Sequence, residues 1–114
     1  MTYKILITGN REYGLCQEIC NLFDSVDDIT YTTCSRSTGF DLTNDTDKQR
    51  LADKFVDEDY NVFINNAATW KFHQTLLAEI MHNTCEEKKH PAYFIHMGST
   101  ADTGVKGRTW RYPT

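Results

Sequence analysis

Short apolar runs alternate with amphipathic segments along the chain, and this alternation predicts its secondary structure. Four of the runs are typical of buried strands, and they cover residues 4–8, 28–33, 61–65 and 92–97. Residues 40–42 are long enough for a minimal strand only. Between them, apolar residues recur at intervals of three and four, as on the buried side of a helix. These helical stripes consist of Leu15, Ile19, Leu22 and Phe23, then of Leu51, Ala52, Phe55 and Val56, and then of Phe72, Leu76, Leu77, Ile80 and Met81.

Strands that alternate with helices at this spacing predict an α/β fold, in which a parallel sheet lies between two layers of helices. Numbered along the chain, the five predicted strands are expected in the order 3-2-1-4-5. Asn44 is expected to cap the second helix, and Pro91 to end the third. Residues 100–111 are predicted to form a polar loop.

The composition narrows the class of protein. The 114 residues suffice for one domain, and their 39% apolar and 25% charged fractions are ordinary globular values. The net charge is −4 without a basic tract, which argues against nucleic acid or an anionic membrane as the main partner. No apolar run approaches a membrane span, and the first residues lack the pattern of a signal peptide.

The cysteines indicate a reducing compartment. Cys16, Cys20, Cys34 and Cys85 have neither the spacing of a small disulfide scaffold nor that of a metal site with two ligand pairs. We therefore expect reduced thiols, no bound metal and a cytoplasmic location.

Several polar residues fall where predicted strands end. Thr8 and Gly9 end the first strand, Asn65 and Asn66 the fourth, and Ser99 the fifth. In an open parallel sheet, the crevice at the carboxyl ends is the default ligand site at the point where the strand order reverses. These residues are therefore expected to surround a common site.

The segment from Thr8 to Gly14 joins the first strand to the first helix. Gly9 and Gly14 allow a close approach of the backbone, and the start of the helix offers N–H groups, as a pyrophosphate requires. An ordinary strand-to-helix turn carries the same pattern, so the turn by itself does not decide between the two.

Three motifs together point to a family. They are the glycine turn, the quartet Asn65-Asn66-Ala67-Ala68, and Tyr112 thirteen residues after Ser99. In this order they resemble the N-terminal half to two-thirds of a short-chain dehydrogenase/reductase. The resemblance implies that residues 1–114 form a single, partial NAD(P)-binding Rossmann domain, which lacks the last strands of the family.

The resemblance also implies a role for each motif. Ser99 polarises the substrate carbonyl, and Tyr112 is the general acid/base. Arg36 and Ser37 follow the second strand and favour NADP(H) over NAD(H), because arginine pairs with a 2′-phosphate. The implied cofactor-binding residues are Thr8, Gly9, Asn10, Arg11, Gly14, Leu15, Arg36, Ser37, Asp41, Leu42, Asn65, Asn66 and Ala67.

The expected function is NAD(P)(H)-dependent reduction of a carbonyl, or oxidation of an alcohol, on a small molecule, with a homo-oligomer left open. The sequence ends before the lysine that the family places four residues after its tyrosine, so we expect the chain to be an incomplete catalyst with a bare apolar edge at Tyr93–Met97. Two alternatives stay open. One is a catalytically inactive nucleotide-binding or assembly module, and the other is a phosphate-binding protein of flavodoxin type.

Overall fold

The computed structural model describes residues 2–12, 14–66, 71–97 and 107–111, which form strands and helices in alternation. The helices are α1 (Gly14–Asp24), α2 (Asp45–Asp57) and α3 (Lys71–Glu87), with a 3-10 turn at Arg36–Thr38. The strands are β1 (Tyr3–Thr8), β2 (Ile29–Cys34), β3 (Val62–Asn65), β4 (Tyr93–Met97) and β5 (Gly107–Arg111). None of the described helices is long and apolar enough to span a membrane.

The strands form one sheet in the order β2-β1-β3-β4-β5, in which the first four are parallel. One hydrophobic cluster joins α1 to the sheet, and a second, larger cluster joins α2 and α3 to it. The two clusters lie on opposite faces, because neighbouring residues of β1 alternate between them, with Ile5 and Ile7 in one and Leu6 in the other. The predicted α/β fold, with helices on both sides of a parallel sheet, is confirmed.

The predicted strand order 3-2-1-4-5 is wrong, because residues 40–42 do not form a strand. Gly39 adopts a left-handed conformation after the 3-10 turn, and the Phe40 N–H returns to the Ser35 carbonyl. Leu42 is thereby turned into the core below α2 rather than added to the sheet. Phe40 and Leu42 are apolar because they pack against the core. Periodicity alone does not distinguish this packing from the pairing of a strand in the sheet.

The other edge of the sheet also differs from the prediction. Within the segment expected to be a polar loop, Gly107–Arg111 forms β5 and pairs antiparallel with β4. The apolar edge expected to be bare at Tyr93–Met97 is therefore covered by a strand. Thr109 and Trp110 favour a strand, but arginines lie on both sides of them, so the segment has the polar composition of a loop.

The predicted buried faces are confirmed on α2 and in part on α3 and α1. On α2, Leu51, Ala52 and Phe55 are buried as expected. On α1, Leu15 and Leu22 are 47% and 68% exposed, and the buried positions are Cys16 and Cys20. Ile19 and Phe23 of the predicted stripe pack against the same cluster, so the buried face is shifted toward the cysteines and only partly different. On α3, Leu77 and Met81 are buried as predicted and Cys85 is buried as well, whereas Phe72 is exposed.

Candidate functional site

The carboxyl ends of β1 and β3 are adjacent, and the chain leaves them in opposite directions. From β1 it crosses to β2 through α1, and from β3 it crosses to β4 through α3. This reversal creates a crevice at which doubly wound proteins bind their ligands. Thr8, Asn65 and Asn66 lie at this point, as the sequence predicts.

Thr8 and Asn65 are both buried, and their side chains hold the two strand ends together. The Asn66 N–H donates to Thr8 Oγ1 over 2.9 Å. The Thr8 hydroxyl in turn lies 3.4 Å from the Ile64 carbonyl oxygen and 3.5 Å from Asn65 Oδ1. Thr8 and Asn65 therefore shape the site from within the protein.

Gly9 is required by both its backbone conformation and its surroundings. Its φ is +138°, and a Cβ there would lie 3.1 Å from Cys16 Cβ and 3.3 Å from Asn66 Nδ2. The Gly9 N–H donates to the Cys34 carbonyl over 3.0 Å. This glycine thus lets α1 approach the strand ends, and its own N–H is already engaged.

The remainder of the glycine turn leads into α1. Asn10 Oδ1 accepts from the Glu12 N–H over 2.8 Å, which stabilises the turn. Gly14 has a φ of +57° and begins the helix. The N–H groups in the first turn of a helix have no partner within that helix, which makes the start of α1 suitable for an anion. Leu15 follows with its side chain largely exposed.

The Arg11 guanidinium is engaged within the protein. It donates to Asp24 Oδ2 over 3.0 Å, to Asn21 Oδ1 over 2.9 Å and to the Tyr31 hydroxyl over 3.2 Å. Tyr31 donates to the other Asp24 oxygen over 2.7 Å. These contacts hold the glycine turn against α1 and β2. Arg11 therefore has a structural role in addition to the cofactor contact that the sequence predicts.

Arg36 presents an exposed charge just beyond the carboxyl end of β2. Among the described residues its guanidinium makes no hydrogen bond and no ion pair. The Ser37 hydroxyl lies 2.8 Å from that of Ser35. The pKa of the nearby Asp41 is lowered, mainly by hydrogen bonds from Thr43 and further by the positive charge of Arg36. Arg36 is therefore an exposed cation without a partner among the described residues.

Sequence reasoning did not identify the polar network that supports Asn65. Asn65 Nδ2 donates to the Gln74 carbonyl over 3.1 Å, and Gln74 Nε2 donates to the Asn65 carbonyl over 3.2 Å. Asn65 Nδ2 also lies 3.4 Å from His96 Nδ1, and His96 Nε2 lies 3.0 Å from His82 Nε2. The network connects β3, α3 and β4 at the floor of the crevice.

These contacts determine where the imidazole protons lie. The Gln74 carbonyl can only accept, so the atom of Asn65 that faces it is the amide nitrogen. His96 Nδ1 then faces a donor and accepts, which leaves the proton of His96 on Nε2, directed at His82. Burial lowers the pKa of His82, and burial together with His82 lowers the pKa of His96 to about 4. Both histidines are neutral at pH 7.

Lys48 is a second polar feature that the sequence analysis missed. Its side chain is fully buried, with Nζ 2.8 Å from Asp45 Oδ1 and 3.1 Å from His73 Nδ1. It joins the first turns of α2 and α3 beside the crevice. The sequence does contain a signal for the burial of Lys48. Residue 48 lies on the same helical face as residues 51, 52 and 55, which were predicted to be buried.

The remaining predicted residues fall into two groups. The Leu42 side chain belongs to the buried cluster below α2. Ala67, Ser99 and Tyr112 lie outside the described residues, so the catalytic pair stays a prediction. The described part of the chain contains no group of three or more histidine, cysteine or acidic side chains arranged to hold a metal. All four cysteines are free and buried.

Comparison of the chain with protein-family models, curated proteins and solved structures found no significant match.

Proposed function

We propose that this chain functions as a cytoplasmic NAD(P)(H)-dependent short-chain oxidoreductase. One observation carries the proposal. The glycine turn, the asparagine pair and an exposed arginine with no partner in the described part of the chain all lie at the carboxyl edge of a parallel sheet, around the point where the strand order reverses. This is where doubly wound folds bind dinucleotides.

The described residues suit a dinucleotide phosphate in two places. Gly9 brings the backbone close to the start of α1, where helix N–H groups favour a pyrophosphate. Arg36, with Ser37 beside it, offers a guanidinium for the 2′-phosphate of NADP(H), which is absent from NAD(H). Asn65 and Thr8 keep the floor of the site rigid through their buried contacts.

In this proposal the bound nicotinamide supplies or accepts a hydride at the substrate carbon. Tyr112 donates the proton to the carbonyl oxygen during reduction and removes it during oxidation, and Ser99 polarises that oxygen. A free tyrosine has a pKa near 10, so Tyr112 needs a neighbouring positive charge to act at neutral pH. The substrate class is a small carbonyl compound or the corresponding alcohol.

A second candidate follows from the strand order. The order β2-β1-β3-β4 is that of the first four strands in flavodoxin-like sheets, whose switch point between β1 and β3 binds FMN. A phosphate- or flavin-binding protein without dehydrogenase activity would use the same crevice and the same start of α1.

Titration of the purified protein with NADPH, NADH and FMN separates these candidates. We expect NADPH to bind most tightly, and Arg36→Ala to weaken NADPH about tenfold or more, the effect of losing a charge-assisted hydrogen bond. NADH affinity should change little. Lys88→Ala is the control, because Lys88 is exposed at the far end of α3. Preference for FMN, or equal loss of NADH and NADPH binding in Arg36→Ala, would contradict the proposal.

Turnover then distinguishes an enzyme from a nucleotide-binding module. With a panel of ketones and aldehydes, oxidation of NADPH that disappears in Tyr112→Phe while NADPH binding persists supports the enzyme. When the tested protein includes every residue that its gene encodes, binding of NADPH without turnover on any member of the panel supports the inactive module.

A further inference from the structure

The strand β2 forms an edge of the sheet, and half of its backbone groups point away from the protein. The Tyr3 N–H donates to the Asp28 carbonyl, and the Gly9 N–H donates to the Cys34 carbonyl. Because a parallel strand uses alternate residues toward each neighbour, β2 bonds to β1 through Thr30, Thr32 and Cys34. The N–H and C=O groups of Ile29, Tyr31 and Thr33 therefore face outward.

Within the described chain, nothing pairs with these outward groups. The segment that could have added a strand, residues 40–42, is turned away into the core, and Ser35 closes the strand by bonding to Thr38 and Phe40. Natural sheets protect such an edge with charges, proline or a bulge. None of these devices is present, since β2 reads Ile-Thr-Tyr-Thr-Thr-Cys, which is β-branched or aromatic at five of six positions.

The edge is self-complementary. In an antiparallel two-fold pairing centred on Tyr31, each Ile29 lies opposite the Thr33 of the other copy, and the outward residues of the two strands exchange six hydrogen bonds. Tyr31 then meets Tyr31 on the α1 face. Thr30 meets Thr32 on the opposite face, and both kinds of pair are favourable across strands.

The charges beside the strand fit the same arrangement. Asp27 and Asp28 precede β2, Arg36 follows it, and all three are exposed without an ion pair among the described residues. Antiparallel pairing brings the acidic end of one strand to the basic end of the other, twice by symmetry. A parallel partner would instead place like charges together.

We propose that β2 is an association edge, at which a second copy of this chain pairs antiparallel and continues the sheet across a two-fold axis. The partner at this edge is a second copy of the chain, because β2 is complementary to an antiparallel copy of itself in hydrogen-bonding groups, side chains and charge. The interface is one strand wide and therefore below the size of a stable obligate dimer, so the association is reversible and depends on concentration.

Light scattering and amide hydrogen exchange test the proposal on the unmodified protein. The mass should rise from 13.2 kDa toward twice that value with concentration. Over the same range, protection of the Ile29, Tyr31 and Thr33 amides should rise about tenfold or more, while the amides of Thr30, Thr32 and Cys34 stay protected throughout. The inward amides are thus an internal control within one strand.

A matched pair of variants isolates the backbone contribution. Thr33→Pro removes one outward N–H and leaves the ladder to β1 intact, as prolines do on edge strands. Thr33→Val keeps the N–H and the branched side chain. We expect Thr33→Pro to stay monomeric at concentrations where Thr33→Val associates like the parent.

The outcomes are decisive without the variants. A monomer up to millimolar concentration, or association in which the three outward amides exchange as fast as in the monomer, overturns the proposal. The amide measurement decides the question even if Thr33→Pro does not fold. None of these readouts requires a cofactor, so failure here is distinguishable from failure of the proposed oxidoreductase.

Discussion

The two faces of the sheet are built in different ways. The face under α2 and α3 is closed by large side chains, and the rings of Phe55, Phe63 and Phe94 lie 6.0 to 6.3 Å apart. On the face under α1, the buried residues of the helix are the small Cys16 and Cys20, which pack with isoleucine and valine side chains of the sheet. Burial of large rings therefore stabilises the first face, whereas the small residues of α1 let the glycine turn lie close to the strand ends.

The largest expected effect separates a buried leucine of the first face from an exposed leucine of α1. Leu77 is buried under α3, whereas Leu22 of α1 is 68% exposed. Leu77→Ala should lower the free energy of unfolding by about 2–5 kcal/mol, because it leaves a cavity. Leu22→Ala should change it by less than about 0.5 kcal/mol. Urea denaturation measures both, and similar losses for the two variants would contradict the different burial of these two leucines.

A second test uses pH, because all four histidines occur in α3 or after it and none in α1. The pKa of His96 is about 4 in the fold and near 6.5 when unfolded, so the unfolded chain binds the proton more readily. Stability is therefore full above about pH 6.5 and falls as the pH drops toward 4, by about 1–2 kcal/mol at pH 5. Urea denaturation at pH 7 and pH 5 checks this.

The control for the pH test is His96→Gln, which cannot titrate. Its unfolding free energy should fall less between pH 7 and pH 5 than that of the parent. The same decrease in both proteins would assign the pH dependence to other groups, such as His82.

The smallest expected effect concerns how the helices begin. Asn44 caps α2, since its side chain accepts from the Asp47 N–H over 3.1 Å, whereas α1 begins at a glycine. Asn44→Ala should lower the free energy of unfolding by about 1 kcal/mol. The exposed neighbour Thr46, changed to alanine, should leave it nearly unchanged. Thermal unfolding compares the two, and equal midpoints for both variants would mean that the cap contributes nothing measurable.

Local rules predicted most of the fold from the sequence. Periodicity located the three helices and four parallel strands, and the cap at Asn44 was readable because it acts within one turn. The failures arose where long-range packing decides. Residues 40–42 were predicted as a minimal strand but pack below α2, and the segment at 107–111 pairs with β4 despite its arginines.

The candidate site likewise contains residues that the sequence predicted and residues that it did not. Thr8, Gly9, Asn65 and Asn66 were predicted because strand ends are visible in a sequence. The network of Asn65 with Gln74, His96 and His82 was not predicted, because it joins residues up to 31 positions apart. The engagement of Arg11 by Asp24 and Tyr31 likewise depends on tertiary contacts that no spacing encodes.

The burial of Lys48 has a consequence for covalent modification. Acyl transfer to a lysine requires an exposed amine, and this one has 0% side-chain exposure between the first turns of α2 and α3. An acylating reagent or enzyme can reach the Lys48 amine only when the first turns of α2 and α3 separate. The fold therefore shields Lys48 from acylation, whereas lysines at the surface, such as Lys88 and Lys89, are open to it at all times.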